Sequence, residues 1–213
     1  MLVCVDTLAW FFANAKSSSE RERSSIEAFQ TQQRFSVAAS ERAAPVQRIA
    51  DLFEAAALAT NNSCVGLHTA QNYHYESAPI LILAMLAAPS VDEGIRCLLR
   101  YDKYAETAIE TRFISDSDPV HFVAGLISDS VHNVDHLNEY LLSFFVQILK
   151  TASRKEVPVT GVWFRHSNNQ NKLALEDHFG ASVDFGMSDN RLFFRQEYLQ
   201  EPFITSNNLL FNS

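Results

Sequence analysis

Residues 159–202 constrain the fold most tightly, because the spacing of their apolar side chains changes period twice within one short stretch. Val162 and Phe164 alternate with Trp163 and Arg165, the period-two pattern of a half-buried strand, which His166 closes. Ser167, Asn168 and Asn169 offer caps for a helix that carries Leu173, Ala174, Leu175 and Phe179 and ends at Gly180, the residue type that best tolerates a left-handed turn. Val183 and Phe185 then alternate with Ser182 and Asp184, residues 186–190 are rich in turn formers, and Leu192 and Phe194 alternate with Arg191, Phe193 and Arg195. The stretch predicts a strand linked through a helix to a β-hairpin.

Upstream the helical period dominates. Pro45 suits the first position of a helix carrying Val46, Ile49, Leu52, Phe53 and Ala56, which Asn61, Asn62 and Ser63 stop. A short helix through Leu67 and Ala70 leads to Tyr73, His74 and Tyr75, and Pro79 opens a strongly apolar helix over residues 80–87. Ser90 with Glu93 three residues on has the form of a capping box, starting a helix that runs through Ile95, Leu98, Leu99 and Tyr101 toward Tyr104. Gly94 inside it is expected to weaken that helix by about 1 kcal/mol. Ile109, Thr111 and Phe113, a turn over residues 115–119, and Val120, Phe122, Ala124 and Leu126 predict a hairpin.

The longest helix is expected over residues 131–150. Val134, Leu137, Leu141, Phe144, Phe145 and Ile148 form one stripe, and Leu142, Val146 and Leu149 widen it past half the circumference, so this helix is expected to be covered on two sides. The fold class is therefore α+β, an antiparallel sheet of about five strands with helices packed on one face, preceded by an N-terminal helical region. Residues 1–44 divide off as an N-terminal helix and a polar connector rich in Ser, Glu and Arg; the helical part of the remainder, 45–213, spans 45–104 and the sheet with its core helix spans 105–202.

Charge and cysteine usage exclude several classes. A formal net charge of −8 over 213 residues argues against gripping a phosphate backbone, which rests on clustered Lys and Arg. Cys4, Cys64 and Cys97 have neither the spacing of a zinc site nor the even count of a disulfide framework, which points to the reducing cytoplasm. The apolar run from Leu8 to Phe12 lacks a basic leader, and no run approaches the roughly 20 apolar residues that cross a bilayer. No membrane partner is expected.

His132 and His136 stand four apart beside Asp135, a spacing that two metal ligands can share on a helix, but no third strong ligand lies nearby, so these histidines are expected to face solvent. The chain has no G-x-S-x-G elbow, no Gly-rich phosphate loop and no Cys/His nucleophile motif. Catalytic residues, metal and cofactor are all expected to be absent.

Three segments carry a family resemblance. They are Leu52 through Leu67, with Phe53, Asn61 and Gly66; residues 88–101, with a small-Pro-Ser-apolar start and the Leu98, Leu99, Arg100, Tyr101 end; and residues 162–202, with Val162, Trp163, Phe164, Arg165, His166, Phe179, Gly180, Val183, Asp184, Phe185, Gly186, Asn190, Leu192, Phe194, Leu199 and Pro202. Together they resemble the N-terminal effector-binding and dimerisation domain of one branch of the AraC-type transcriptional regulators. The resemblance implies a small-molecule effector, a homodimer, and DNA contact only through a C-terminal helix-turn-helix domain. That domain is absent from this sequence, which ends at Ser213. Either the chain is a fragment of a longer regulator, or it is a stand-alone small-molecule-binding or interaction protein without DNA binding.

If the domain senses a small molecule, the pocket is expected between the core helix and the sheet. Candidate lining residues are Tyr101, Tyr104, Phe122, Phe144 and Phe145, with Arg165 or His166 as polar anchor. A charged anchor would imply an anionic ligand. The competing reading makes the aromatics ordinary core and His166 a partly buried residue hydrogen-bonded to the next turn.

Overall fold

The computed structural model describes residues 46–73, 80–102, 109–126, 132–207 and 211. Four helices come first: α1 (Val46–Thr60), α2 (Val65–Gln71), α3 (Ile80–Leu86) and α4 (Val91–Asp102). Strands β1 (Ile109–Ile114) and β2 (Val120–Leu126) precede the long helix α5 (Asp135–Ser153). Then follow β3 (Val159–Phe164), α6 (Lys172–Phe179), β4 (Val183–Phe185), β5 (Arg191–Phe194) and a 3₁₀ turn over Gln196–Gln200. The N-terminal segment 1–44, read as helix and connector, lies outside the described residues, as does Pro45.

Local chemistry accounts for the element ends. Asn61 stops α1 in a left-handed conformation at φ 48°. Gly180 closes α6 at φ 65°, its N–H returning to Glu176 O. Ser90 Oγ accepts from Glu93 N–H at 3.4 Å and lies 3.3 Å from Glu93 Oε2, so the two capping-box residues meet at the start of α4. Helix α5 begins at Asp135, later than its apolar stripe suggests, because Asn133 adopts a positive φ of 58° just before it. The asparagines after β3 do not cap α6 through their side chains: the cap position falls to Asn171, whose amide is spent elsewhere.

The sheet has five strands in the order β1-β2-β5-β3-β4. One row, Phe113, Phe122, Leu192, Val162 and Val183, runs in register across all of them and faces the core. The next row, Arg112, Val123, Arg191, Trp163 and Asp184, points the other way. All pairings are antiparallel except β3 with β4, which is parallel. The expected hairpin of β4 with β5 is therefore corrected: β3 lies between them. A helical crossover returns the chain in the direction it left, so α6 makes β4 parallel to β3, and the reversal at residues 186–190 carries β5 past β4 to the other edge of β3.

Helix α5 is the centre of the molecule. Fifteen of its residues are buried, Leu137, Leu141, Leu142, Phe144, Phe145 and Leu149 among them, which satisfies the two-sided stripe in its sequence. Phe145 stacks on Phe122 of the sheet with centroids 3.7 Å apart. On the other side Tyr140 packs against Phe53 of α1, and Phe144 against Tyr73 just after α2. Helices α2 and α5 touch backbone to backbone: a Cβ on Gly66 would lie 2.1 Å from His136 O.

The chain after the 3₁₀ turn ties the helices down. Ile204 N–H bonds Ala152 O at the end of α5, Phe203 N–H bonds Pro89 O, and Ser90 bridges Pro202. Phe203 lies over Gly94, where an added Cβ would come within 2.6 Å of its ring. The glycine that sequence propensity marks as a weakness thus makes room for an aromatic ring.

Candidate functional site

The N-terminal end of α5 carries polar side chains into the interior, against the trend of a helix so thoroughly apolar further on. Glu139 is 1 % exposed, Asn138 4 % and His136 8 %. His136 is buried, with its ring between Glu54 of α1 and Glu139, which corrects the expectation of a solvent-facing residue. His132 is exposed, as expected.

A second element delivers His166. The strand β3 ends at Phe164, and the chain then turns so that the His166 ring sits 5.1 Å from the Phe164 ring and 5.3 Å from that of Phe185. Its side chain is 6 % exposed. The ring makes no hydrogen bond, contrary to the expected contact with the next turn; only its backbone carbonyl does so, accepting from Gly186 N–H. The ring faces Glu139 Oε1 at 3.9 Å and Asp135 Oδ2 at 3.9 Å instead.

The loop before α6 closes the cluster. Asn171, also buried, donates through Nδ2 to both oxygens of Glu139, at 3.2 and 3.1 Å, and to Ser63 O. Its Oδ1 accepts from Cys64 Sγ at 3.3 Å. Burial raises the Cys64 thiol above its ordinary pKa, a hydrogen bond to Ser63 opposes this, and the Glu139 charge adds to the rise. Burial opposes the charged form of His136, but the Glu139 carboxylate 3.8 Å from its Nδ1, with the charges of Glu54 and Asp135, outweighs it and raises its pKa.

Of the sequence candidates, Phe122 and Phe145 meet between α5 and the sheet, whereas Phe144 packs on the other side of α5 against Tyr73 and Tyr140, which corrects its expected place at the sheet; all three are 1 to 2 % exposed. His166 belongs to the polar cluster. Arg165 is exposed, and its backbone N–H bonds Asn190 Oδ1. Tyr101 lies in the last turn of α4, and Tyr104 lies outside the described residues. Among the described residues, one surface cleft opens by Asp118, Thr160, Arg195 and Gln200, and another, of about 450 Å³, by Gln71, Lys150, Glu156, Asp177 and His178. None of the described candidates lines either cleft. Sequence reasoning missed Glu139, Asn171 and Glu54. The only signal for Glu139 is its place on the wide apolar face of α5, where a carboxylate is out of keeping.

The architecture is that of an α+β domain, with a helix held between a helical layer and a mixed sheet and carrying buried polar groups. Residues 35–203 match the arabinose-binding domain of AraC transcription regulators, N-terminal, and the chain belongs to that family. The family is one of regulator domains rather than of enzymes. A solved structure, the transcriptional regulator CdpR from Pseudomonas aeruginosa, shares the fold at a TM-score of 0.55 and 18 % identity over 68 % of this chain. The match spans about half of that chain, 48 %. No curated protein matches. Among the described residues, no helix is long and apolar enough to cross a membrane.

Proposed function

We propose that this chain is the ligand-sensing and dimerisation domain of an AraC-type transcription regulator, with DNA contact assigned to a separate helix-turn-helix domain. The observation that carries this reading is the family match over residues 35–203, which takes in nearly every described element. The effector site is the seam between α5 and the sheet. Phe122 and Phe145 form its apolar wall, with His166, Arg165, Tyr101 and Tyr104 as the remaining candidates on that side, while Phe144 faces the helical layer. Glu139 and Asp135 flank His166, so an anionic ligand is disfavoured at that end, and the polar part of the effector there is neutral or cationic.

Native mass spectrometry of freshly purified protein tests the assignment. The expected result is a species of twice 24.0 kDa that carries a small molecule or takes one up from a metabolite library. A monomer across the micromolar range that takes up nothing would favour a stand-alone interaction protein.

A further inference from the structure

Five titratable side chains line up through the interior at the start of α5, in the order Glu54, His136, Glu139, His166, Asp135. Glu54 Oε1 lies 4.0 Å from His136 Nε2, and His136 Nδ1 lies 3.8 Å from Glu139 Oε2. The line continues from the other oxygen of the same carboxylate, with His166 Nε2 at 3.9 Å from Glu139 Oε1 and His166 Nδ1 at 3.9 Å from Asp135 Oδ2. Each imidazole therefore has a carboxylate opposite each of its ring nitrogens. A neutral imidazole has one N–H and one lone pair, so in this setting it would aim a lone pair at a carboxylate oxygen; only the imidazolium offers a donor to both sides.

Burial sharpens the requirement. The Glu139 side chain is 2 % exposed and that of His166 6 %, and an unpaired charge at such depth is costly. Among the described residues, the ion pairs of Glu54, Asp135 and Glu139 are all with these two histidines. The other polar neighbours are Asn171 from the loop before α6, which donates to Glu139, and Cys64 from the turn before α2, which donates to Asn171. Among the described residues, no group of three or more such side chains could hold a metal ion.

We infer that this line of groups is a proton-binding site centred on His136, whose imidazole carries both ring hydrogens between Glu54 and Glu139 and thereby holds α1 to the start of α5. Loss of a proton leaves a lone pair facing a carboxylate and loosens that junction. The domain then responds to pH through its interior, and this holds whether or not it senses a small molecule. The raised pKa of His136 agrees in direction: a histidine raised in the folded state contributes stability that is complete below its unfolded value near ~6.5 and lost as pH rises through the folded value.

The test is ¹⁵N-resolved NMR of the histidine rings in the 213-residue chain between pH 5.5 and 8.5, with melting temperature measured across the same range. His136 is expected to show two protonated ring nitrogens at pH 6. His136→Gln should remove a fall in melting temperature that the parent shows as pH rises, measured as the difference between the two curves. Glu54→Gln, at a carboxylate about one third exposed, should move the His136 titration midpoint to lower pH. A neutral His136 ring at pH 6, or parallel melting curves for parent and His136→Gln, would overturn the inference. If His136→Gln does not fold, the midpoint in Glu54→Gln decides: an unmoved midpoint overturns it.

Discussion

Phe145 and Phe122 stack with their ring planes 3° apart, so truncating either opens a void that the rigid sheet behind cannot fill. Phe145→Ala is expected to lose about 3–5 kcal/mol in urea unfolding. If the seam also takes the effector, affinity in the folded variant falls further than stability alone explains; unchanged affinity would leave Phe145 a core residue only. Gly94 carries the opposite lesson. Helix propensity favours Gly94→Ala by about 1 kcal/mol, yet the new methyl would meet the Phe203 ring at 2.6 Å and Met85 O at 3.2 Å. The variant is expected to melt lower than the parent, and Phe203→Leu added to it should recover part of the loss. The sign is invisible in the sequence near Gly94, because the residue that decides it arrives from the far end of the chain.

At the scale of elements, α5 was legible because its apolar stripe is too wide for one covering layer, and two layers cover it. The β4–β5 pairing was not legible, since a period-two pattern marks a strand and its buried side but says nothing about which strand lies beside it. The histidines on these elements pull in different directions with pH. Burial lowers the pKa of His178 on α6, of His68 on α2 and, with help from the Arg191 charge, of His121 on β2. A lowered histidine binds its proton more readily in the unfolded chain, so stability falls as pH drops through the ordinary histidine range, the reverse of His136. His178→Gln is expected to flatten the acid side of a melting-temperature profile between pH 7.5 and 5.5. A profile unchanged by that substitution would mean that α6 stays packed over a charged ring.

For the molecule as a whole, charge sets the strongest expectation. With a net charge of −8, this 213-residue chain should give no mobility shift of duplex DNA at submicromolar protein, even at low salt where phosphate contacts are strongest. A salt-sensitive shift would count against assigning DNA contact to another domain. The proposed dimer would draw on exposed apolar side chains, which among the described residues include Leu58 on α1, Leu83 on α3 and Leu173 on α6, 79 %, 46 % and 83 % exposed. Light scattering is the direct measurement, and Leu58→Glu is expected to weaken a dimer built on α1 while leaving the monomer fold intact.

The sequence by itself determined the elements of the described region, the central place of α5, the class α+β and, through three separated segments, the family. These are readable because burial leaves a periodic mark on the residues of each element. Only the tertiary structure decided the parallel β3–β4 pair, the space that Phe203 takes from Gly94, and the alternation of carboxylate and imidazole through Glu54, His136, Glu139, His166 and Asp135. Each of these depends on side chains distant in sequence meeting at a few ångströms, and such proximity leaves no periodic trace in a single chain.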